Sequence, residues 1–147
     1  MDPRENLASF FQHDHRDVDA DWARVEEAVE SGDLERVKTA WKAFDGHHRR
    51  HMSMEDDVMF PALEAATGMT EGPTAVMRAE HDQMRGLMDQ MEAVLAGGDP
   101  QELLDLGDTL LMLIQQHNQK EEGILYPMAS RVLEGEWDSL RTRLEEL

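Results

Sequence analysis

The chain has 147 residues, a formal net charge of −18 and no cysteine. This length predicts a single domain with a buried core. The lack of cysteine excludes disulfides and thiolate metal ligands, so any bound metal must be held by imidazole and carboxylate groups. The negative charge argues against nucleic acid and membrane surfaces as partners, because it repels phosphate backbones and anionic lipid head groups. With neither a leader-like apolar run at the start nor a stretch of about 18 apolar residues anywhere, we expect a cytoplasmic protein.

The first two predicted helices are separated by a glycine turn. The first runs from about residue 5 to residue 30 and stops before Gly32. The second begins after Asp33, a residue type that caps helix N-termini well, and extends to about residue 66. Because proline cannot donate a backbone hydrogen bond and its ring clashes with the preceding turn, Pro61 is expected to kink or break this helix near its end.

The second half of the chain predicts two more long helices and a short one. The third has Pro73 in its first turn and ends at Gly97, and the fourth opens on the capping sequence "DPQE" at residues 99–102 and reaches about residue 133. A short fifth helix covers about residues 136–146. No segment alternates like a strand and the connections are short. We therefore predict an all-α fold, an up-down-up-down antiparallel four-helix bundle of two tandem helical hairpins with a short C-terminal fifth helix.

An internal repeat relates the second helix to the fourth. The stretch "HMSMEDDVMFP" at residues 51–61 has the same skeleton as "HNQKEEGILYP" at residues 117–127, and one constant offset takes each position to its counterpart. We call this separation, which takes His51 to His117, the repeat offset. It also relates His15 to His81, Gly32-Asp33 to Gly98-Asp99, and Phe60 to Tyr126. The chain therefore reads as two helical hairpins, each with one histidine in its first helix and a His-x-x-x-Glu in its second.

The His-x-x-x-Glu spacing places both polar groups on one helix face. Residues four apart lie at successive turns, so His51 and Glu55 point the same way, as do His117 and Glu121. At about 100° per residue the apolar positions share these faces, and Ile124 is expected among the buried residues of the fourth helix. Burial of unpartnered polar groups costs several kcal/mol each, so these side chains must meet partners in the interior.

The recurrence of the pattern favours a dinuclear metal site. A lone buried histidine is usually hydrogen-bonded to other protein groups, but inward His and Glu side chains from facing helices are how bundles build dinuclear sites. We expect two histidines on each metal, with His15 paired to His51 and His81 to His117, and Glu55 and Glu121 bridging. A bridging oxide or hydroxide would leave one open position on each metal. The predicted ligands are His15, His51, Glu55, His81, His117 and Glu121.

The donor set also narrows the choice of metal and of small ligand. Imidazole and carboxylate together suit iron or manganese, and zinc would also bind these atoms. Two carboxylates leave positive charge on a metal pair, which favours anionic or electron-accepting ligands such as peroxide, azide, oxygen or nitric oxide. We therefore expect two iron ions, with manganese or zinc as the alternatives.

At these residues the sequence resembles the hemerythrin-like family, also called HHE cation-binding domains. The resemblance rests on four motifs, "DHRD", "HMSMEDDVMFP", "AEHDQM" and "HNQKEEGILYP", and covers about residues 5–133. It implies a single hemerythrin-like domain over residues 1–147, with a four-helix bundle around a non-haem di-iron centre. Members of the family bind oxygen reversibly or react with oxygen, peroxide or nitric oxide.

Two departures from the oxygen-carrying members bear on function. Those proteins have a second histidine four residues after the one in the third helix, where this chain has Arg85. Their last ligand is an aspartate five residues after the fourth-helix histidine, whereas here Glu121 follows at four. The set of four histidines and two glutamates is more similar to the iron-centre repair proteins and the iron-sensing hemerythrin domains. The repair proteins also have a cysteine-bearing amino-terminal segment, and this chain has no cysteine.

Four further residues are candidates for an additional ligand or for contacts around the ligands. His47 and His48 lie within one turn of His51 and have no histidine counterparts in the second half; either one could complete the metal shell or only surround it. Asp19 and Arg85 occupy equivalent positions in the two halves, so an ion pair between them or a gate is a hypothesis. A methionine stripe in the third helix is interpreted as core filling, with an oxidisable lining as the alternative: Met77, Met84, Met88 and Met91.

The expected function is that of a di-iron protein that senses, scavenges or reacts with oxygen, nitric oxide or peroxide. Whether the centre is enzymatic, as in a peroxidase or oxidase, stays open, because no general acid can be identified from the sequence. Two alternatives remain. One is iron storage, delivery or iron-centre repair, and the other is a metal-stabilised bundle that binds a protein partner.

Overall fold

The chain folds into helices joined by short turns. The computed structural model describes residues 2–147, and these contain no strand, which confirms the all-α prediction. The helices are α1 (Leu7–Ser31), α2 (Leu34–Met54), α3 (Phe60–Thr67), α4 (Pro73–Ala96), α5 (Pro100–Lys120), α6 (Tyr126–Val132) and α7 (Trp137–Glu145). A 3₁₀ turn, Glu134–Glu136, leads into α7, and two π-helical turns connect α2 to α3 and α5 to α6: Glu55–Met59 and Glu121–Leu125. None of the helices within residues 2–147 has both the length and the hydropathy needed to cross a bilayer.

Side-chain caps and glycines set the helix ends. The Asp99 carboxylate accepts a hydrogen bond from the backbone N–H of Glu102 at 3.0 Å, and Asp33 accepts from the N–H of Glu35 at 3.1 Å, as the capping signals predict. At the other end of α1, Gly32 has a φ of 75°, a left-handed conformation that a residue without a Cβ adopts at little cost. These signals place the turns between consecutive long helices.

Consecutive long helices pack against each other, and the two pairs then meet. α1 lies along α2 and α4 lies along α5; between the pairs, α1 contacts α5 and α6, and α2 contacts α4. The buried apolar residues form two clusters. One includes Phe11 and Phe60 and is covered by α7, and the other includes Trp22, Trp41 and Phe44.

The predicted polar residues lie between these two clusters. In α1, His15 follows Phe11 of the first cluster and precedes Val18 of the second. In α2, His51 lies beside Met52 of the second cluster and one turn before Met54 of the first. A buried polar layer therefore crosses the helices with apolar core on both sides.

The two π turns change the predicted helix faces. Ile124 is 68 % exposed rather than buried, whereas Leu125 and Tyr126 are buried. A π turn accommodates an extra residue, so a helix face calculated at about 100° per residue no longer holds within the turn, where Ile124 lies, or beyond it. The helix does not break at Pro61, which lies in the first turn of α3 directly after the π turn Glu55–Met59, so the irregular turn precedes the proline.

A close contact between α1 and α5 depends on Gly107. A Cβ atom built on Gly107 would lie 2.3 Å from Cζ2 of Trp22, whereas one on Gly86 of α4 would have nothing within 4 Å. We expect Gly107→Ala to lower the free energy of unfolding by about 1–3 kcal/mol, because overpacking at the indole outweighs the better helix propensity of alanine. The matched control Gly86→Ala should raise it by about 0.5–1 kcal/mol. Urea denaturation of both variants tests this, and a Gly107→Ala protein as stable as Gly86→Ala would contradict the close contact.

Candidate metal centre

Six buried side chains of the polar layer form two overlapping groups. One group contains His15 and His51, the other contains His81 and His117, and Glu55 and Glu121 belong to both. In each group, one potential ligand atom from every residue lies within 4.8 Å of the others. The structure thus brings together all six residues selected from the sequence, in the two sets expected from the repeat. We call them the His15/His51 group and the His81/His117 group.

Each long helix contributes one histidine, and each π turn begins at a glutamate. His15 comes from α1 and His81 from α4, while His51 and His117 come from the last turns of α2 and α5. Glu55 and Glu121 are the first residues of the π turns. Both carboxylates are 0 % exposed, so the helices deliver them into a space closed to solvent.

The spacing of the inward atoms suits ligands that share a metal. The Nε2 atoms of His81 and His117 are 3.1 Å apart. The Nε2 atom of His15 is 3.1 Å from a carboxylate oxygen of Glu121, and that of His81 is 3.0 Å from one of Glu55. Metal bonds of about 2.1 Å to N and O ligands place neighbouring ligand atoms of a six-coordinate ion about 3 Å apart.

Two of the inward oxygens contact imidazole nitrogens without a well-aligned hydrogen bond. Glu55 Oε1 lies 3.0 Å from His81 Nε2 and Glu121 Oε2 lies 3.2 Å from His117 Nε2, but within residues 2–147 neither oxygen has a donor in good hydrogen-bond geometry. Buried polar atoms are nearly always satisfied. Two such oxygens facing four imidazole nitrogens fit a bound cation.

A carboxylate touches the outward nitrogen of every histidine in the two groups. These contacts hold each ring with Nε2 facing inward, because Nδ1 is engaged by an acceptor on the outer side. The Nδ1 to oxygen distances are 2.7 Å for His15 and Glu122, 2.7 Å for His51 and Asp14, 2.8 Å for His81 and Asp56, and 2.8 Å for His117 and Glu80. We call these four acids the outer carboxylates.

The outer carboxylates follow the same repeat as the inner residues. The repeat offset takes Asp14 to Glu80 and Asp56 to Glu122. Each of them is adjacent in sequence to one of the six inner residues. The repeat offset is the sequence signal that identifies all four.

The charges of the layer raise the pKa values of His51 and His81 when no metal is bound. Burial opposes the charge on His51, but the Glu55 carboxylate and the Asp14 hydrogen bond outweigh it and raise the pKa of His51 to about 10. Burial likewise opposes the charge on His81, and hydrogen bonds to Asp56 and Glu55 raise its pKa to about 9. Burial alone would raise the pKa of Glu55. The contacts with His51 and His81 have a larger effect in the opposite direction, so the pKa of Glu55 lies well below its ordinary value.

Tyr126, which was not selected as a site residue, reaches the His15/His51 group. Its hydroxyl oxygen lies 2.5 Å from Glu55 Oε2, 3.0 Å from Glu121 Oε1, 3.0 Å from His15 Nε2 and 3.4 Å from His51 Nε2. Burial and the two carboxylates raise the pKa of Tyr126 well above its ordinary value. The pairing of Tyr126 with Phe60 by the repeat offset was visible in the sequence, but the π turn that aims it inward was not.

The two additional histidines of α2 lie outside both groups. His47 contacts Asp21 at 2.6 Å and Asp14 at 2.8 Å, so it supports an outer carboxylate and is one step removed from His51. His48 is buried and stacks on the rings of Phe44 and His51. Neither ring nitrogen of His48 has a hydrogen-bond partner within residues 2–147. Burial lowers the pKa of His48 well below its ordinary value, so its ring is neutral.

Asp19 and Arg85 do not pair with each other as hypothesised. Arg85 donates hydrogen bonds to Asp56 at 2.6 Å and to Asp82 at 3.2 Å, because these carboxylates lie on its own side of the layer. Asp19 is exposed on α1. The methionines Met77, Met84, Met88 and Met91 are buried, which agrees with core filling.

The comparisons with known proteins identify a family and no individual relative. The model of the hemerythrin HHE cation binding domain matches residues 6–129. No curated protein and no solved structure matches the chain. The matched range includes all six residues of the two groups and the four outer carboxylates.

The raised histidine pKa values predict how the stability of the metal-free protein depends on pH. Between about 6.5, the ordinary histidine value, and the folded values near 10 and 9, the folded state binds more protons than the unfolded state. This stability is fully present below the ordinary value and is lost as the pH rises through the folded values. We expect the free energy of unfolding to fall between pH 7 and pH 10, as measured by urea denaturation in a chelator.

The matched control for this pH dependence is Asp14→Asn. Because Asp14 helps to hold the proton on His51, this variant should show a smaller decline between the same two pH values. A free energy of unfolding that is constant or that rises over this range would contradict the assignment of the buried protons.

His48 makes a second prediction, because an apolar residue fills the equivalent place in the other half. The repeat offset matches His48 to Ile114, and both are buried. Without metal, His48→Leu should raise the free energy of unfolding by about 1 kcal/mol or more, since it removes an unsatisfied buried imidazole. The reciprocal Ile114→His should lower it. Metal content decides the functional role: a His48→Leu protein that loses metal would make His48 a ligand, and unchanged content would exclude it.

Proposed function

The chain belongs to the hemerythrin HHE cation-binding domain family, and from this premise we propose that it holds two iron ions and binds or reacts with a small diatomic or peroxide ligand. Oxygen, nitric oxide and hydrogen peroxide are the ligands of this class. Sensing, scavenging and redox defence are the roles that such a centre supports.

One observation carries the proposal, namely that two ligand groups share both of their carboxylates. Glu55 and Glu121 belong to the His15/His51 group and to the His81/His117 group. A carboxylate has two oxygens, so two shared carboxylates could hold two ions side by side. The four histidines would then provide two nitrogens for each ion.

The donor atoms favour iron over a structural metal. Structural zinc sites are closed by four ligands and are usually rich in thiolate, and this chain has no cysteine. Mixed imidazole and carboxylate sites with open positions are typical of iron proteins that react with small molecules. When bound, iron supplies reversible binding of such molecules and one-electron chemistry. The outer carboxylates orient the imidazoles, and the two apolar clusters exclude bulk water.

The surroundings of the layer admit only small molecules. All six residues are at most 4 % exposed. A cleft of about 90 Å³ between α4 and α5 reaches His117 beside the ion pair of Lys120 and Glu80. A space of this size accepts a diatomic molecule, azide or peroxide.

Arg85 argues against dedicated oxygen carriage. It occupies the position at which the oxygen-carrying members have a further histidine, and its guanidinium group is engaged by Asp56 and Asp82. Arginine is not a metal ligand at neutral pH, because its guanidinium group stays protonated. Sensing or reaction with the ligand is therefore favoured over carriage.

The bundle arrangement belongs to the same proposal. Packing of α1 on α2 and of α4 on α5, with α1 also against α5 and α6, supports an antiparallel four-helix bundle over about residues 5–133. In such a bundle each helix faces the shared interior, which is where dinuclear sites are built.

Metal analysis tests the proposal. Protein reconstituted with ferrous iron and passed through a desalting column should retain two irons per chain. Glu55→Ala should lose most of both, because both groups include Glu55, and His81→Ala should weaken one site more than the other. His13→Ala and Asp57→Ala alter exposed neighbours and should keep the full content. A wild-type protein that retains no iron, or a Glu55→Ala protein that retains two, would contradict the proposal.

A further inference from the structure

One difference between the two halves of the proposed metal centre is a single oxygen atom on a buried ring. Tyr126 and Phe60 are equivalent under the repeat offset, and both side chains are 0 % exposed. Each ring packs beside the first histidine of its group: Tyr126 lies 5.4 Å from His15 and Phe60 lies 5.9 Å from His81, centroid to centroid. The rings therefore occupy equivalent places, and only one of them has a hydroxyl group.

The hydroxyl oxygen of Tyr126 is placed like a ligand atom. It lies 3.0 Å from His15 Nε2 and 3.0 Å from Glu121 Oε1. These distances match the 3.1 Å that separates the same two ligand atoms from each other. Neighbouring ligand atoms of one six-coordinate ion are about 3 Å apart. An ion in the His15/His51 group would thus find a fifth protein oxygen or nitrogen within its shell.

The residues around the His15/His51 group are also more polar than those around the His81/His117 group. Beside the His15/His51 group lie Tyr126 and His48, and at the equivalent places beside the His81/His117 group lie Phe60 and Ile114. The cleft of about 90 Å³ reaches His117 from the side of Glu80 and is lined mainly by polar residues. One half thus has an extra protein donor, and the other has an apolar wall.

We propose that Tyr126 is a ligand of the metal in the His15/His51 group alone, so that exogenous ligands bind to the metal in the His81/His117 group. This inference rests on the proposed function, since it requires two metals. As the oxygen of Tyr126 binds the ion, the phenolic O–H bond breaks, the oxygen donates its electron pair, and the proton leaves to solvent. No electron transfer is involved.

The sequence makes the first test unambiguous, because Tyr126 is the only tyrosine of the chain. Protein reconstituted with iron and oxidised in air should show a visible charge-transfer absorption whose resonance Raman spectrum contains tyrosine ring vibrations. Tyr126→Phe should lose these vibrations while retaining two irons. A wild-type protein with two ferric irons and no enhanced tyrosine vibrations would overturn the inference and leave the proposed function intact. A wild-type protein that binds no iron would overturn both.

Azide binding tests which metal accepts a small ligand. The oxidised wild-type protein should bind one azide per pair of irons, and Tyr126→Phe should bind two, because it frees a position in the His15/His51 group. Phe60→Tyr adds the missing oxygen to the other half and should suppress azide binding with both irons retained. Equal azide stoichiometry in the wild type and in Tyr126→Phe would overturn the inference. If Phe60→Tyr does not fold, the comparison of these two proteins decides the question.

Discussion

The burial of two carboxylates, Glu55 and Glu121, is the constraint on which the rest of the structure depends. A charged group in the interior is costly unless opposite charge and hydrogen bonds surround it. Four helices provide these partners, because each places an imidazole nitrogen close to the same pair of carboxylates. A shift of any one helix along its axis would leave a buried charge without a partner. The polar layer therefore fixes how the two hairpins fit together, while the apolar clusters on either side provide most of the driving force for burial.

Every imidazole of the layer lies between an inner and an outer carboxylate. His81, for example, touches Glu55 through Nε2 and Asp56 through Nδ1. Acids on both sides favour a positive charge, which explains why the pKa values of the buried His51 and His81 rings are raised in the absence of metal. A bound metal ion would provide positive charge at the same inner nitrogens in place of protons, and the outer carboxylates could keep their contacts with Nδ1. The outer carboxylates therefore suit both the metal-free and the metal-bound protein, because they already hold the imidazole rings with Nε2 facing inward when no metal is bound.

The internal repeat allowed the six inner residues to be predicted from the sequence, whereas the π turns, which change the direction of nearby side chains, were not predictable. One constant offset identified the inner residues from a single sequence, because a duplicated hairpin repeats its polar positions in register. The π turns escaped prediction, since nothing in a helical wheel signals an extra residue per turn. Ile124 was consequently assigned to the core and Tyr126 was overlooked. The hypothesis of an Asp19 and Arg85 pair failed for another reason: equivalent positions in two halves face opposite ends of a pseudo-twofold arrangement, where Arg85 meets Asp56 instead.

Departures from the repeat are more informative about chemistry than the repeat itself. A symmetric pair of hairpins would give two identical metal positions, which would bind and react alike. Here the six proposed ligands are retained in both halves, whereas the residues around them differ and are more polar beside His15 and His51. Polarity and hydrogen bonding around a metal tune its affinity, its reduction potential and its access to solvent. If two ions share Glu55 and Glu121 as proposed, their unlike surroundings would let them divide their roles, with one anchored by the protein and the other open to a ligand.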